Sequence, residues 1–284
     1  MIISVASGKG GTGKTTIATS LAISLTAELT PPPLFLDCDV EAPNAHLFLH
    51  PDFEQQKEVG ILIPAVDEAL CTYCGKCAEV CQYNAIAVLG KKTLVFPQLC
   101  HGCGSCTAIC PEQAIKEVHN RIGVIENGKA RANLSFVHGV MDVGEPMAVP
   151  IIRQLKKWSL TQLGQIAIRD APPGTSCPVV ETVRGSDFVL LVTEPTPFGL
   201  HDLRLANQMV EKLGIRAGVI INRENGAFPA IETLCKEHDL PIMMRIPFER
   251  KIAMGIAQGK LLVDIYPEYQ HKFMQMFADI TRCR

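Results

Sequence analysis

The feature that most constrains this chain is a set of eight cysteines arranged twice at the same intervals. Cys71–Ile86 reads CTYCGKCAEVCQYNAI, and Cys100–Ile115 reads CHGCGSCTAICPEQAI. The copies are offset by 29 residues and agree at every cysteine, at one glycine and at the closing Ala-Ile. A repeat this short cannot bury a core of its own, so something other than apolar side chains must organise it. Each copy is spaced C-x2-C-x2-C-x3-C. Three thiols at that spacing wrap one face of a cubane iron–sulfur cluster, and the fourth, past a short helical turn, serves the neighbouring cluster. One ligand set is therefore Cys71, Cys74 and Cys77 with Cys110. The other is Cys100, Cys103 and Cys106 with Cys81. Paired C-x2-C units also hold tetrahedral zinc. Zinc takes its ligands as two pairs, whereas here a third and a fourth cysteine follow twice, and the expectation is two [4Fe–4S] clusters.

In this respect residues 61–125 resemble the bacterial two-cluster ferredoxins. That family has proline after the fourth cysteine; the second copy keeps Pro111, while the first has Gln82. The departure bears on the local turn and on the potential, since the proline is not a ligand. Tyr73 and Tyr83 are expected to pack near the clusters, and His101 to be solvated.

Composition supports metal over crosslinks. The sequence holds 12 cysteines, and clustered thiols in a chain expected to lack a secretory signal point to ligation rather than to disulfides. The opening Met1-Ile2-Ile3-Ser4-Val5 has no basic n-region, and no apolar run is long enough to span a bilayer. The expectation is a cytoplasmic protein that engages no membrane. A formal net charge of −2 gives no field to gather nucleic acid.

Outside residues 59–127 the chain alternates strands and helices. Apolar runs at Ile2–Ala6, Leu34–Leu36, Gln165–Ile168, Phe188–Thr193 and Ala217–Ile221 read as core strands. Thr15–Leu29, the amphipathic stretches at Val149–Trp158, Leu200–Leu213, Pro229–His238 and Arg250–Gln258, and the residues beyond Glu268 read as helices. Such alternation makes an α/β, doubly wound, mainly parallel sheet. The expected domains are 1–58 with 128–284, interrupted by a small α+β insert at 59–127.

Between the first strand and helix lies Gly8-Lys9-Gly10-Gly11-Thr12-Gly13-Lys14-Thr15, followed by Thr16, which fits G-x4-G-K-[ST]. Glycines there let backbone N–H groups converge on phosphate, Lys14 reaches the terminal phosphates, and Thr15 offers its hydroxyl to Mg²⁺.

The extra lysine, in K-G-G-T-G-K-T-T, resembles the deviant Walker A motif of the MinD/ParA ATPases, a family that also holds the nitrogenase iron protein and Mrp-type cluster carriers. Asp37-Cys38-Asp39 with Asn44 is similar to its first switch, and Asp170-Ala171-Pro172-Pro173-Gly174 to its Walker B aspartate and second switch. The resemblance implies ATP or ADP as ligand and a nucleotide-sandwich dimer, with a second copy or a related chain. It implies that Lys9 crosses to the partner's phosphates, that Asp39 orients the attacking water, and that Asp37 and Asp170 act on Mg²⁺ directly or through water. For Asp39 a plain helix cap is the alternative. Asn222 would contact adenine, with Arg223 beside it and Pro247-Phe248 flanking the base, although Phe248 could equally be core.

Cys177, seven residues past Asp170, resembles a cluster-ligating cysteine of the nitrogenase iron protein; the alternative is a small buried cysteine at a helix start. Cys38 reads as core, and Cys235 and Cys283 lie on helical segments. The expected function is an ATPase coupled to two clusters that passes electrons to a redox partner protein. A cluster-assembly or protein-positioning ATPase stands beside it, as does a redox module that binds nucleotide without hydrolysing it.

Overall fold

A computed structural model describes residues 1–158 and 165–282. In chain order the strands are β1 (Ile2–Ala6), β2 (Leu34–Asp37), β3 (Asp52–Val66), β4 (Ile86–Val88), β5 (Thr93–Val95), β6 (Ile115–Lys129), β7 (Ser135–Met141), β8 (Ala167–Asp170), β9 (Phe188–Thr193), β10 (Arg216–Glu224) and β11 (Ile242–Pro247). The helices are α1 (Lys14–Thr26), α2 (His46–Leu49), α3 (Lys76–Val80), α4 (Ser105–Ile109), α5 (Val149–Trp158), α6 (Cys177–Val183), α7 (Pro197–Lys212), α8 (Pro229–Glu237), α9 (Arg250–Ala257), α10 (Leu262–Ile265) and α11 (Glu268–Arg282). Two compact units emerge. The first comprises Met1–Lys57, Ile125–Val140 and Ile152–Arg284, and the second Glu58–Val124 and Met141–Ile151.

The first unit is built on strands ordered β11-β10-β9-β1-β8-β2-β7, and the sheet continues through β6 and β3, which run on into the residues of the second unit. From β11 to β7 every neighbouring pair is parallel. Side chains alternate faces along a strand, and the strands here use both faces. Phe188, Leu190 and Val192 of β9 join one core with Ile17, Leu21 and Leu25 of α1 and Phe273, Met276 and Ile280 of α11. Val189 and Leu191 join another, with Val179 of α6, Leu203 and Val210 of α7 and Leu234 of α8. Helices thus cover both faces. In α11 the buried Tyr269, Phe273, Met276 and Ile280 recur at helical spacing, whereas α1 is buried nearly all round.

The second unit shows a backbone duplication deeper than the cysteine spacing. Helices α3 and α4 each begin after a left-handed glycine, Gly75 (φ 82°) and Gly104 (φ 72°). Left-handed φ recurs at Tyr73 and Gly102 and at Asn84 and Gln113, all pairs 29 residues apart. The Phe96 N–H donates to the Ala85 carbonyl, and Asp67 N–H to that of Ala114, at the same offset. The repeat therefore reaches back to Asp67 and Phe96, where the sequences no longer match. After each fourth cysteine the chain makes the same turn, Asn84 N–H donating to Cys81 O and Gln113 N–H to Cys110 O. Gln82 in place of proline leaves that turn intact.

The long strands β3 and β6, of 15 residues each, escape the periodicity that marks the core strands, as does β11. Residues 52–58 of β3 are exposed with little apolar content, so no alternation betrays them. Among the described residues no helix is long and apolar enough to cross a membrane.

Candidate functional site

Parallel strands put their carboxyl ends on one sheet edge, where ligands of such sheets bind. The first unit collects its polar side chains there. Ser7 and the glycine loop follow β1, Asp37 ends β2, Asp170 ends β8, Glu194 follows β9, and Asn222 and Arg223 lie near the end of β10. Asp170 stands in register with Val5 on one side and Asp37 on the other.

The loop runs straight into α1, whose cap, Gly13, is left-handed (φ 93°). A Cβ on Gly13 would lie 2.4 Å from Asn222 Nδ2, and one on Gly8 only 2.3 Å from the Asp202 carbonyl oxygen. Both glycines are needed for close packing. Gly10 lies beside Pro173, and Gly11 is left-handed at φ 78°. Thr12 is buried and its hydroxyl has no partner among the described residues.

At the Mg²⁺ position expected from sequence, Thr15 Oγ1 donates to Asp170 Oδ2 at 2.5 Å. The other Asp170 oxygen is buried without a partner among the described residues. Burial drives the Asp170 carboxyl well above its ordinary value, Asp37 adds to the shift, and Lys14 opposes it. Burial also raises Asp39, again against Lys14. Lys14 lies close enough to Asp170 and Asp39 to oppose both shifts, and the Asp170 oxygen that lacks a partner among the described residues suits a divalent cation bound with Thr15.

Asp37 has a different task. Its Oδ1 accepts from Asp39 N–H, and its Oδ2 from the Asn44 and Ala45 N–H groups at 3.1 and 3.0 Å. It anchors the loop after β2, with both oxygens engaged by backbone. Asp39 is not a helix cap, since α2 begins at His46 and carries no side-chain cap. Lys9 is paired within its own chain, its Nζ 2.9 Å from Glu194 Oε2, while Arg223 Nη1 lies 2.6 Å from Glu194 Oε1.

Asn222 donates to the Thr12 carbonyl at 2.7 Å and accepts from Arg223 N–H. Beside it a cavity with about 250 Å³ of water-accessible space is lined by Gly13, Thr16, Asn222, Arg223, Pro247 and Phe248, and by α9. Phe248 is 63% exposed, so it is a cavity wall and not core. Sequence reasoning missed Glu194. Its one signal is position, just past β9 on the ligand edge of the sheet.

In the second unit, Cys71, Cys74, Cys77 and Cys110 line one cavity. Cys81, Cys100, Cys103 and Cys106 line another. The remaining walls are largely apolar, including Val66, Val88 and Ile115 in the first and Leu62, Ala85 and Ile86 in the second. Ala85 N–H donates to Cys81 Sγ and Ala114 N–H to Cys110 Sγ, at 3.2 and 3.3 Å. Among the described residues no three histidine, cysteine or acidic side chains converge as ligands of a single ion. Four thiols at each cavity are the donor set that an iron–sulfur cluster takes.

Tyr83 stacks on His101 with ring centroids 3.6 Å apart beside the second cavity. The exposed histidine is thus partnered rather than simply solvated. Tyr73 donates to Glu68. Cys177 opens α6 and is exposed, which corrects the buried alternative; nothing packs it away because the chain reaches it from the open loop after Gly174. Cys38 and Cys235 are buried. Cys283 lies outside the described residues.

A glycine loop between β1 and α1, facing an aspartate at the end of β8, is the hallmark of a P-loop nucleotide-binding α/β protein. The chain belongs to the CobQ/CobB/MinD/ParA nucleotide-binding family, whose profile matches residues 3–263. It is 34% identical over 277 residues to the uncharacterized protein MJ0578 of Methanocaldococcus jannaschii, covering 95% of each chain. To MJ0579 of that organism it is 35% identical over 261 residues, 92% of this chain and 90% of the other. A 119-residue stretch, 36% of this chain and 45% of the relative, is 29% identical to a cytosolic Fe-S cluster assembly factor NUBP2 homolog of Trichoplax adhaerens. In fold it is similar to the septum site-determining protein MinD of Pyrococcus horikoshii, solved with Mg-ADP, at a TM-score of 0.58 and 22% identity over 97% of this chain and 93% of that one.

Proposed function

We propose that this protein is a Mg²⁺-dependent ATPase whose nucleotide cycle is coupled to two [4Fe–4S] clusters that pass electrons to a partner protein. The observation that carries it is the pair of cavities, each lined by three cysteines of one copy and the fourth of the other. Cysteines from both copies at each cavity match the ligand exchange of two-cluster modules. When bound, such clusters supply reversible one-electron transfer. Full ligation by eight thiols favours retention of the clusters over their release.

In the nucleotide unit, the loop N–H groups and Lys14 hold phosphate, Thr15 and Asp170 hold Mg²⁺, and Asp39 orients water. Asp37 fixes the loop that carries Asp39. Phosphoryl transfer asks for this kind of positioning and charge stabilisation more than for covalent chemistry. Lys9 reaches a partner copy's phosphates in a dimer of this chain or with a related one. In the sequence the cysteine module interrupts the ATPase between its two switch segments, so a nucleotide-driven change at Asp39 or Asp170 has a covalent route to the clusters.

The test is anaerobic purification with iron and sulfide counting, EPR and potentiometry with and without ATP, and phosphate release by the chain and by Lys14→Ala. Two clusters' worth of iron, a nucleotide-dependent signal, and phosphate release cut about 10²- to 10³-fold in the variant are expected. Cluster potentials and partner affinity that ignore nucleotide would refute the coupling. Unchanged release by Lys14→Ala would instead favour a module that binds nucleotide without hydrolysing it. The match to an Fe-S cluster assembly factor favours a second reading, delivery of clusters to other proteins. In that case a labile cluster held between two Cys177 thiols would transfer to an apo-acceptor.

A further inference from the structure

Lys9 and Glu194 form the ion pair nearest the phosphate loop that the proposed mechanism does not use. Neither partner is placed by accident. The Lys9 loop is pinned by the Gly8 approach to the Asp202 backbone in α7 and by Ser7 Oγ donating to the Lys9 carbonyl at 2.6 Å. Glu194 sits in the turn between β9 and α7, where Thr196 N–H donates to its carbonyl at 2.8 Å and Gly199 packs against that same carbonyl. The carboxylate is only 12% exposed, and its two oxygens are divided between Lys9 and Arg223. Arg223 lines the cavity beside Asn222. One carboxylate thus links the cation of the phosphate loop to a cation of the neighbouring cavity.

We propose that Glu194 is a positioning residue that parks Lys9 within its own chain until a nucleoside triphosphate draws the ammonium away. This rests on the reading of Lys9 as a phosphate-binding cation. An ammonium held against Glu194 at 2.9 Å must leave that contact to reach a partner copy's phosphate, so breaking the pair subtracts from nucleotide affinity. The carboxylate thereby sets the nucleotide concentration at which Lys9 is deployed, and Arg223 moderates it by sharing the negative charge.

The experiment titrates the cluster-loaded chain with Mg-ADP and with a non-hydrolysable triphosphate analogue, and follows phosphate release from ATP. Glu194→Gln keeps shape and removes charge. It should tighten binding about three- to tenfold, the worth of a half-buried ion pair, and lower KM without lowering kcat. In a Lys9→Ala background the same substitution should change nothing. Tightening that persists there would mean that Glu194 merely repels the nucleotide, and the latch would be overturned. It would equally be overturned if Glu194→Gln bound no tighter in the Lys9 chain, or if Glu194→Asp, one methylene shorter, matched the parent. Thermal melting of each variant separates these outcomes from loss of fold. If Lys9→Ala alone leaves binding and phosphate release unchanged, the phosphate role of Lys9 fails first, and that result is distinct from a failure at Glu194.

Discussion

The two units are stabilised by different means. Around the nucleotide loop, β1, β2, β8, β9 and β10 carry fully buried aliphatic and aromatic side chains between helices on both faces, among them Ile3, Phe35, Ile168, Leu190 and Ile220. Around the cysteines the buried clusters among the described residues are small: Ile63, Ala85 and Cys100 in one, Cys77, Ile86 and Ile115 in the other. Two of those six residues are themselves proposed ligands. Apolar packing this sparse is a weak source of stability, and on the proposed reading the clusters held by the thiols supply the rest. The expectation is that the nucleotide unit keeps its fold with an empty loop and that the cysteine unit loses its own without iron.

Removing iron should therefore break the comparison most visibly. Chelation, or Cys77→Ser with Cys106→Ser, is expected to abolish hydrogen-exchange protection across residues 58–124. Protection in β1, β9 and α11 should persist. Equal loss in both units would show that they unfold as one and that the difference in burial is not a difference in stability.

A pair of glycines tests the same contrast at single residues. Gly13 and Gly75 are both left-handed caps, but a Cβ on Gly13 meets Asn222 at 2.4 Å whereas one on Gly75 meets nothing within 4 Å. Gly75→Ala should cost about 1–2 kcal/mol of strain and no more. Gly13→Ala adds a clash of about 1–3 kcal/mol and displaces Asn222 from the Thr12 carbonyl, so nucleotide binding should fall with it. Denaturation midpoints and nucleotide titrations of the two variants check this. Similar losses would imply that the packing around the loop yields easily.

The smallest effect concerns pH. His138 in β7 is buried, which lowers its pKa from 6.5, with Glu126 opposing and His46 reinforcing the shift. A depressed histidine pKa means that the unfolded chain takes the proton first. Stability from this site is thus present above about pH 6.5 and is lost as pH falls, the loss levelling off below the folded value. His138→Gln should flatten the acid side of the denaturant midpoint of the nucleotide unit by a modest amount. An unchanged slope would assign that dependence to other groups.

Much of this was legible because local chemistry leaves a local trace. The glycine loop needs glycines where backbone meets phosphate, and cluster ligands need fixed spacing. Core strands such as Phe188–Thr193 are continuous apolar runs because both their faces are covered. The exposed stretch of β3 left no such trace, since Asp52-Phe53-Glu54-Gln55-Gln56-Lys57 pairs through its backbone while its side chains stay wet. The start of the cysteine duplication at Asp67 and Phe96 was equally silent, because what repeats there is a backbone hydrogen bond that any side chain can accompany.

The sequence by itself determined the class of sheet, the phosphate loop and the two sets of four cysteines, for each is written as residue types at short range. Only the tertiary structure decided which groups meet across long range. It engaged both Asp37 oxygens with the following loop, left one Asp170 oxygen without a partner among the described residues, and exposed Cys177 and Phe248. It also set Glu194 between Lys9 and Arg223, residues 185 and 29 positions away along the chain. Such pairings depend on which strands lie side by side at the sheet edge, and no spacing within a single segment encodes that.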